Sequence, residues 1–248
     1  MPDRVPLTVV IPTLNEGAQI ADCLRTTAWA DQAIVADAGS TDDTAAAAER
    51  AGAKVIRCPG MTIAGQRNAA IAQARNAWVL ALDADERVTP ELAREIAGVL
   101  ANPRHQAYAV RRRNHFLGKP IQRAGWGSDW VTRLFRRERR FVERRLHESL
   151  EPVADLGRLQ KVLDHMPYRD LTHYLEKLDR YSRWAADDLA DRGRRPRLRD
   201  LVLKPPARFI RMYVVQLGFL DGWRGAVLCG LAAVSVFMRY ARLWERTR

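Results

Sequence analysis

A chain of 248 residues that is 47% hydrophobic and 28% charged has the make-up of a folded globular protein, which excludes a disordered, collagen-like or disulfide-framework chain. Its three cysteines, Cys23, Cys58 and Cys229, show no CxxC spacing, so neither a disulfide set nor a cysteine zinc site is expected, and a reducing compartment fits. The net charge of +12 sits in two blocks, residues 104–146 and 192–248, each with 13 basic and 3 acidic side chains, while residues 1–103 carry 9 and 13. Such blocks point to an anionic partner, whether nucleic acid, phosphorylated substrate or anionic lipid, with a solvated arginine surface as the plain alternative. The N-terminal MPDRVPLTVVIPTLNE lacks a basic stretch followed by a long apolar core, so no secretory signal is expected.

The first hundred residues alternate strand and helix signals. Val5–Ile11 reads as a buried strand ended by Pro12, and Asn15 is placed to cap the helix that follows. Ala33–Ala36 is a second strand, after which Gly39 turns the chain and Ser40 or Thr41 caps an alanine-rich helix. Lys54–Arg57 is a short third strand, Gly65–Ala77 is helical, and Trp78–Leu82 is a fourth strand running into Asp83-Ala84-Asp85-Glu86. Thr89-Pro90 opens a helix with Pro at its first position. This alternation predicts a mostly parallel α/β sheet, with ligands bound beyond the carboxyl ends of its strands. Ala107–Val110 and Phe116–Leu117 are further strand candidates, and Trp126 and Trp130 flank Gly127-Ser128-Asp129.

From Thr172 onward the pattern is helical, and Gly193–Arg199 reads as a basic linker. Two apolar stretches follow, Met212–Leu220 and Gly225–Met238, the longer with 14 uncharged residues between Arg224 and Arg239. Since a span needs about 20 apolar residues, a hairpin of two short helices turning at Leu220–Trp223 is expected instead. Its flanking arginines and terminal aromatics suit a membrane interface; a buried hairpin is the alternative. The expected organisation is an α/β domain over 1–165, in two parts (1–103 and 104–165), then a helical region over 166–248.

Glu16, Asp37, Asp83 and Asp85 fall at strand ends, so carboxylates are expected along one edge of the sheet. Asp-x-Asp after a buried strand suits Mg²⁺ or Mn²⁺, which bind one or two protein carboxylates and fill their remaining positions with water and phosphate oxygens. His105, His115, His165 and His173 show no metal-ligand spacing.

The segments VVIPTLNE (9–16), VADAGSTDDT (35–44), GQRNAA (65–70) and LALDADE (80–86) together resemble the inverting glycosyltransferases of family 2. GWGSDWVTRLFRR (125–137), VERRLHESL (142–150), YLEKLDRYS (174–182) and GFLDGWRG (218–225) extend the resemblance to a subgroup that includes bacterial lipopolysaccharide core β-glucosyltransferases. The resemblance implies a GT-A catalytic domain over 1–165, with 1–103 the nucleotide-sugar half and 104–165 the acceptor half, ahead of the C-terminal helical, membrane-interface appendage. It also implies a nucleotide-diphosphate sugar donor, UDP-glucose by likeness, and a divalent metal, Mg²⁺ or Mn²⁺. By position, Pro12, Leu14 and Glu16 would line the nucleotide pocket, and Asp37 would contact uracil or ribose. Arg67 would face the donor, Asp83 the ribose or sugar side, and Asp85, with Asp83, the metal. Arg133 would help to stabilise the departing diphosphate. Ala38 stands where the family usually has a second Asp.

Inverting transfer needs a general base on the acceptor side, and Glu148 is the first candidate with Asp129 the second. Trp126 and Trp130 are candidate sugar platforms. Arg111–Arg113 and Arg136–Arg145 would face the phosphates of a lipid-linked saccharide such as the lipopolysaccharide inner core. The enzyme would then sit in the cytoplasm, peripheral on the inner face of the cytoplasmic membrane and held there by anionic lipid. Two other readings compete. A nucleic-acid-binding protein would leave the strand-end carboxylates unexplained, so no nucleic-acid partner is expected. A nucleotidyltransferase would carry a basic glycine-rich loop where PTLNEGAQI stands.

Overall fold

The computed structural model describes residues 4–142 and 149–247. It divides into two compact units, one of residues 1–112 with 129–165 and one of residues 113–128 with 166–248.

In the first unit, short apolar runs become strands because helices cover both of their faces. In chain order the elements are β1 (Val5–Thr13), α1 (Gly17–Arg25), β2 (Ala30–Asp37), α2 (Thr44–Arg50), β3 (Lys54–Arg57) and α3 (Ile63–Ala72). Next come β4 (Trp78–Ala81), β5 (Glu86–Val88), α4 (Pro90–Ala101) and β6 (Ala107–Phe116). After β7 (Lys119–Pro120) the unit resumes with β8 (Asp129–Arg136), β9 (Phe141–Val142), β10 (Ser149–Leu150) and β11 (Leu156–His165). The sheet order is β3-β2-β1-β4-β8-β6-β11-β5. β3, β2, β1 and β4 are mutually parallel, whereas β8 runs antiparallel to both β4 and β6, and β5 antiparallel to β11.

The period-2 alternation of strands splits the core between the two faces. Val9, Ile11, Leu80 and Leu134 pack on one side with Ile20, Leu92 and Ile96, while Val10, Val79, Ala81 and Phe135 pack on the other with Ile71 and Phe141. Register then decides what reaches the edge: Thr13 lies opposite Asp37 and Val10 opposite Ala81, so β1, β2 and β4 end side by side.

The predicted caps are corrected in two places. Asn15 has φ 57° and stands one residue before the α1 cap, which is Glu16 with no side-chain cap bond. The Asn15 amide oxygen accepts from Thr41 N instead, at 2.9 Å. α2 is preceded by Asp43, and Ser40 and Thr41 bond elsewhere. Thr89 does cap α4, accepting from Leu92 N at 3.2 Å. The two strand candidates after residue 106 are one strand, β6, whose arginines face Trp130 and Asp129 across the ladder.

The second unit begins with the β6–β7 hairpin and continues through α5 (Leu171–Asp191), α6 (Leu198–Val202) and α7 (Lys204–Ile210) to α8 (Gly222–Arg246). Asp170 caps α5 by accepting from His173 N at 2.7 Å. Phe116, Tyr174, Leu178, Met212, Leu228 and Cys229 make one core, and Ala186, Tyr240 and Leu243 a second. The expected hairpin of two short helices is replaced by something longer. α7 runs on through a π turn at Arg211–Val215, a short 3-10 turn follows at Gly218–Asp221, and α8 then continues unbroken for 25 residues through Arg224 and Arg239. Gly225 permits that start, because a Cβ there would meet the Gly218 carbonyl oxygen at 2.0 Å.

Candidate active site

The site grows from the end of β4. Leu80 and Leu82 are buried, so the chain leaves the sheet at Asp83, and the next three residues close a tight loop. Glu86 N donates to the Asp83 carbonyl at 3.0 Å, and the Glu86 carboxylate accepts from Asp83 N at 3.0 Å. Three arginines converge on this loop from separate elements. Arg67 of α3 bonds one oxygen of Asp83, and Arg133 of β8 bonds the other. Arg133 also reaches Glu86 at 2.6 Å. Arg112 of β6 lies 3.5 Å from Glu86 and donates to Asp129 at 2.8 Å. The result is a row of alternating charge, Arg67–Asp83–Arg133–Glu86–Arg112–Asp129.

The row is mostly out of water. Glu86 is 0% exposed, Arg67 2% and Arg133 5%, so each charge there needs its partner. Burial alone would raise the Asp83 carboxyl, but Arg133 and then Arg67 outweigh it and hold Asp83 well below the usual range. Burial dominates at Glu86, and with the Asp83 charge beside it the carboxyl rises despite Arg133. Arg133, although burial opposes its charge, is held more firmly protonated by Asp83 and Glu86. Arg67, Asp83, Arg112, Thr132, Arg133 and Phe141 line a cavity of about 510 Å³. Phe141 also lies under the Arg67 guanidinium, 4.6 Å from its centre.

Asp85 pairs with His165 at the end of β11, with Asp85 Oδ1 and His165 Nε2 3.5 Å apart. The β5–β11 ladder makes the meeting, since it sets His165 opposite Glu86. Among the described residues no group of three or more His, Cys, Asp or Glu side chains forms a metal cage. A carboxylate and an imidazole are nonetheless a sound pair of donors for Mn²⁺, while Mg²⁺ would take the carboxylate alone and fill its other positions with water and phosphate oxygens.

Residues 8–163 match the family model described as glycosyl transferase family 2. The chain belongs to that family. It is 28% identical over 254 residues to the lipopolysaccharide core biosynthesis glycosyltransferase LpsC of Rhizobium meliloti, covering 96% of this chain and 94% of that one. It is 30% identical over 257 residues to an uncharacterized glycosyltransferase of Rickettsia felis, at 96% and 89% coverage. Among solved structures it resembles TarS (1–349) of S. aureus over 98% of this chain and 91% of that one, with TM-score 0.51 and 16% identity, a likeness of fold. The protein is therefore a glycosyltransferase with the expected α/β architecture and a C-terminal apolar helix.

The expected site residues of this family 2 enzyme are distributed unevenly. Arg67, Asp83 and Arg133 come together as described. Asp83, expected also at the metal, has each carboxylate oxygen engaged by a guanidinium. Asp37 is 5% exposed and folded into its own turn, accepting from Ser40 N at 3.0 Å and from the Ser40 hydroxyl. β1 runs past Pro12 to Thr13, which still pairs with Asp37 of β2; Leu14 is 56% exposed, and the Glu16 carboxylate accepts from the Gln19 amide at 3.4 Å.

Asp129 is engaged by Arg112, and Glu148 lies outside the described residues. Trp130 is 39% exposed beneath Arg158, whereas Trp126 is taken up in packing against Tyr168 and Phe116. Within the first basic block, Arg136 covers the Trp78 ring and Arg140 donates to the Arg137 carbonyl at 2.6 Å. The sequence assigns no site role to Glu86 or His165, and places Arg112 only among the arginines facing acceptor phosphates. Arg112 and His165 are positioned by ladders between distant strands, which no local spacing reveals.

Proposed function

We propose that this family 2 glycosyltransferase moves a hexose, glucose from UDP-glucose, to a phosphorylated lipid-linked saccharide of the lipopolysaccharide core, with inversion. It works in the cytoplasm at the inner face of the membrane. The observation that carries the reading is the convergence of Arg67, Arg112 and Arg133 on one cavity at the end of β4. Similarity to LpsC supports the lipopolysaccharide acceptor.

Glu148 takes the proton from the acceptor hydroxyl, whose oxygen attacks the anomeric carbon from the face opposite the diphosphate. As the bond to the diphosphate breaks, negative charge gathers on the leaving oxygen, and Arg133 and Arg67 stand ready in fixed positions to meet it. Asp83 holds those two guanidinium groups in place. Asp129 keeps Arg112 aimed at the same wall. Asp85, joined by His165 where the ion is Mn²⁺, would hold a divalent cation, Mg²⁺ or Mn²⁺, which when bound neutralises charge on the departing diphosphate.

Calorimetric titration with UDP, with and without Mn²⁺ or Mg²⁺, tests this. Wild type is expected to bind UDP only with metal, and Asp85→Ala is expected to lose about tenfold or more in affinity. Silence toward UDP, GDP, CDP and ADP under every metal condition would sink the reading.

A further inference from the structure

Helix α8 has two faces along its whole length. Gly225, Leu228, Cys229, Tyr240 and Leu243 are buried against the rest of its unit. On the opposite side Trp223, Val227, Val234, Phe237 and Trp244 are between 36% and 60% exposed. Successive spacings of 4, 7, 3 and 7 keep these five in one sector of a 3.6-residue helix. Gly230 and Ala241 fall in the same sector, so between Trp223 and Trp244 the stripe carries no charge.

Length alone allows this helix to cross a bilayer. Gly218–Arg246 reaches a mean hydropathy of 1.5, and Trp223 to Trp244 measures about 31 Å at 1.5 Å per residue. Its neighbour forbids it. Arg242 bonds Asp179 and Arg246 pairs with Asp187, both on α5, and Ala186 of α5 shares a core with Tyr240 and Leu243. α5 also carries Glu176, Lys177, Arg180 and Arg183. A transverse α8 would take the exposed Glu176, Arg180 and Arg183 into hydrocarbon, where ionised side chains are costly. An in-plane α8 leaves them in water and still buries the stripe, the arrangement of an interfacial amphipathic helix. Residues 192–248, with 13 basic and 3 acidic side chains, supply the attraction to anionic headgroups.

We infer that α8 lies flat in the surface of an anionic bilayer, with the Trp223–Trp244 stripe dipped into the acyl boundary, and does not cross it. This rests on the membrane-surface reading above and adds the inserting face and its orientation.

The full chain is mixed with vesicles of equal parts phosphatidylcholine and phosphatidylglycerol. Trp223→Cys, Val234→Cys and Trp244→Cys are each labelled with a nitrobenzoxadiazole probe; the native cysteines are buried. The expected result is the same shallow depth for all three by lipid-borne quenchers, and reduction of all three by dithionite added outside. A deep label at position 234, with one end label reduced and the other protected, would overturn the orientation while leaving the membrane reading intact. Failure of wild type to bind the vesicles would overturn both. Energy transfer between labelled copies without vesicles would overturn the proposal by making the stripe a contact between chains. In parallel, Val234→Glu combined with Phe237→Glu is expected to lower vesicle partitioning about tenfold or more, with the helical circular dichroism signal kept. Unchanged partitioning in that variant counts against the stripe.

Discussion

Arg133 carries more of the site than any other single residue. Its guanidinium is 5% exposed and reaches both Asp83 and Glu86, and no lysine could span the pair, because an ammonium offers a point charge rather than a planar fork. Removing one partner from a buried ionic cluster costs about 3–5 kcal/mol, since the remaining charges lose their counterpart. Arg133→Ala is accordingly expected to lower the urea-unfolding free energy by about that much, with Arg133→Lys falling between the two. An Ala variant as stable as wild type would mean the row is not held together as described. Arg67, Asp83 and Arg133 were legible in the sequence because each sits in a segment with a family pattern. Glu86 was passed over as the tail of DADE, although its carboxylate closes the loop and anchors the arginine.

At the scale of elements, the N-terminus of α5 couples proton uptake to helix stability. Asp170 caps the helix through His173 N, while the His173 ring accepts from Arg169 N at 3.3 Å. Partial burial of the ring, then the charges of Lys177 and Arg169, hold its pKa below the ordinary 6.5, against the opposing pull of Glu176 and Asp170. The native state therefore binds fewer protons than the unfolded chain below that value. Its contribution is complete above 6.5 and is lost as pH falls toward the folded value. Thermal melts of wild type should show this loss as pH drops from about 7 toward 5, and His173→Gln should remove that part of the slope. Identical slopes for the two proteins would remove the ring from the account. Elements were legible in the sequence where their pattern is local. β1 to β4 and the Thr89-Pro90 start of α4 were read nearly in place. β6 was read as two pieces because Arg111–Arg113 interrupts its apolar run, and the ladder to β8 that accommodates those arginines is non-local. The sequence marks α8 too short, because Arg224 and Arg239 look like its borders, although both lie within the helix.

Over the whole molecule, each unit keeps its own core. The two faces of the sheet hold one pair of apolar clusters, and α5 and α8 hold another pair. Stability is then expected to be regional rather than a single all-or-none quantity. Leu228 is 1% exposed in the helical core, and truncating a buried leucine to alanine costs about 2–5 kcal/mol. Hydrogen exchange of Leu228→Ala should accelerate in α5 and α8 and leave β1, β2 and β4 at wild-type rates. Equal acceleration everywhere would show that the two cores unfold together. The sequence signalled the change from sheet to helices near residue 166 through its change of period. It could not signal that residues 113–128 belong with the helices, because that assignment depends on packing by Phe116, Ile121 and Ala124.

The alternating row from Arg67 to Asp129 also shapes how this site can evolve. Every interior member serves two neighbours, so a replacement at one position strands the charges on either side, and single steps are penalised even when the final arrangement would be sound. Change along the row must travel in compensating pairs, and only its ends, Arg67 and Asp129, answer to a single neighbour within it.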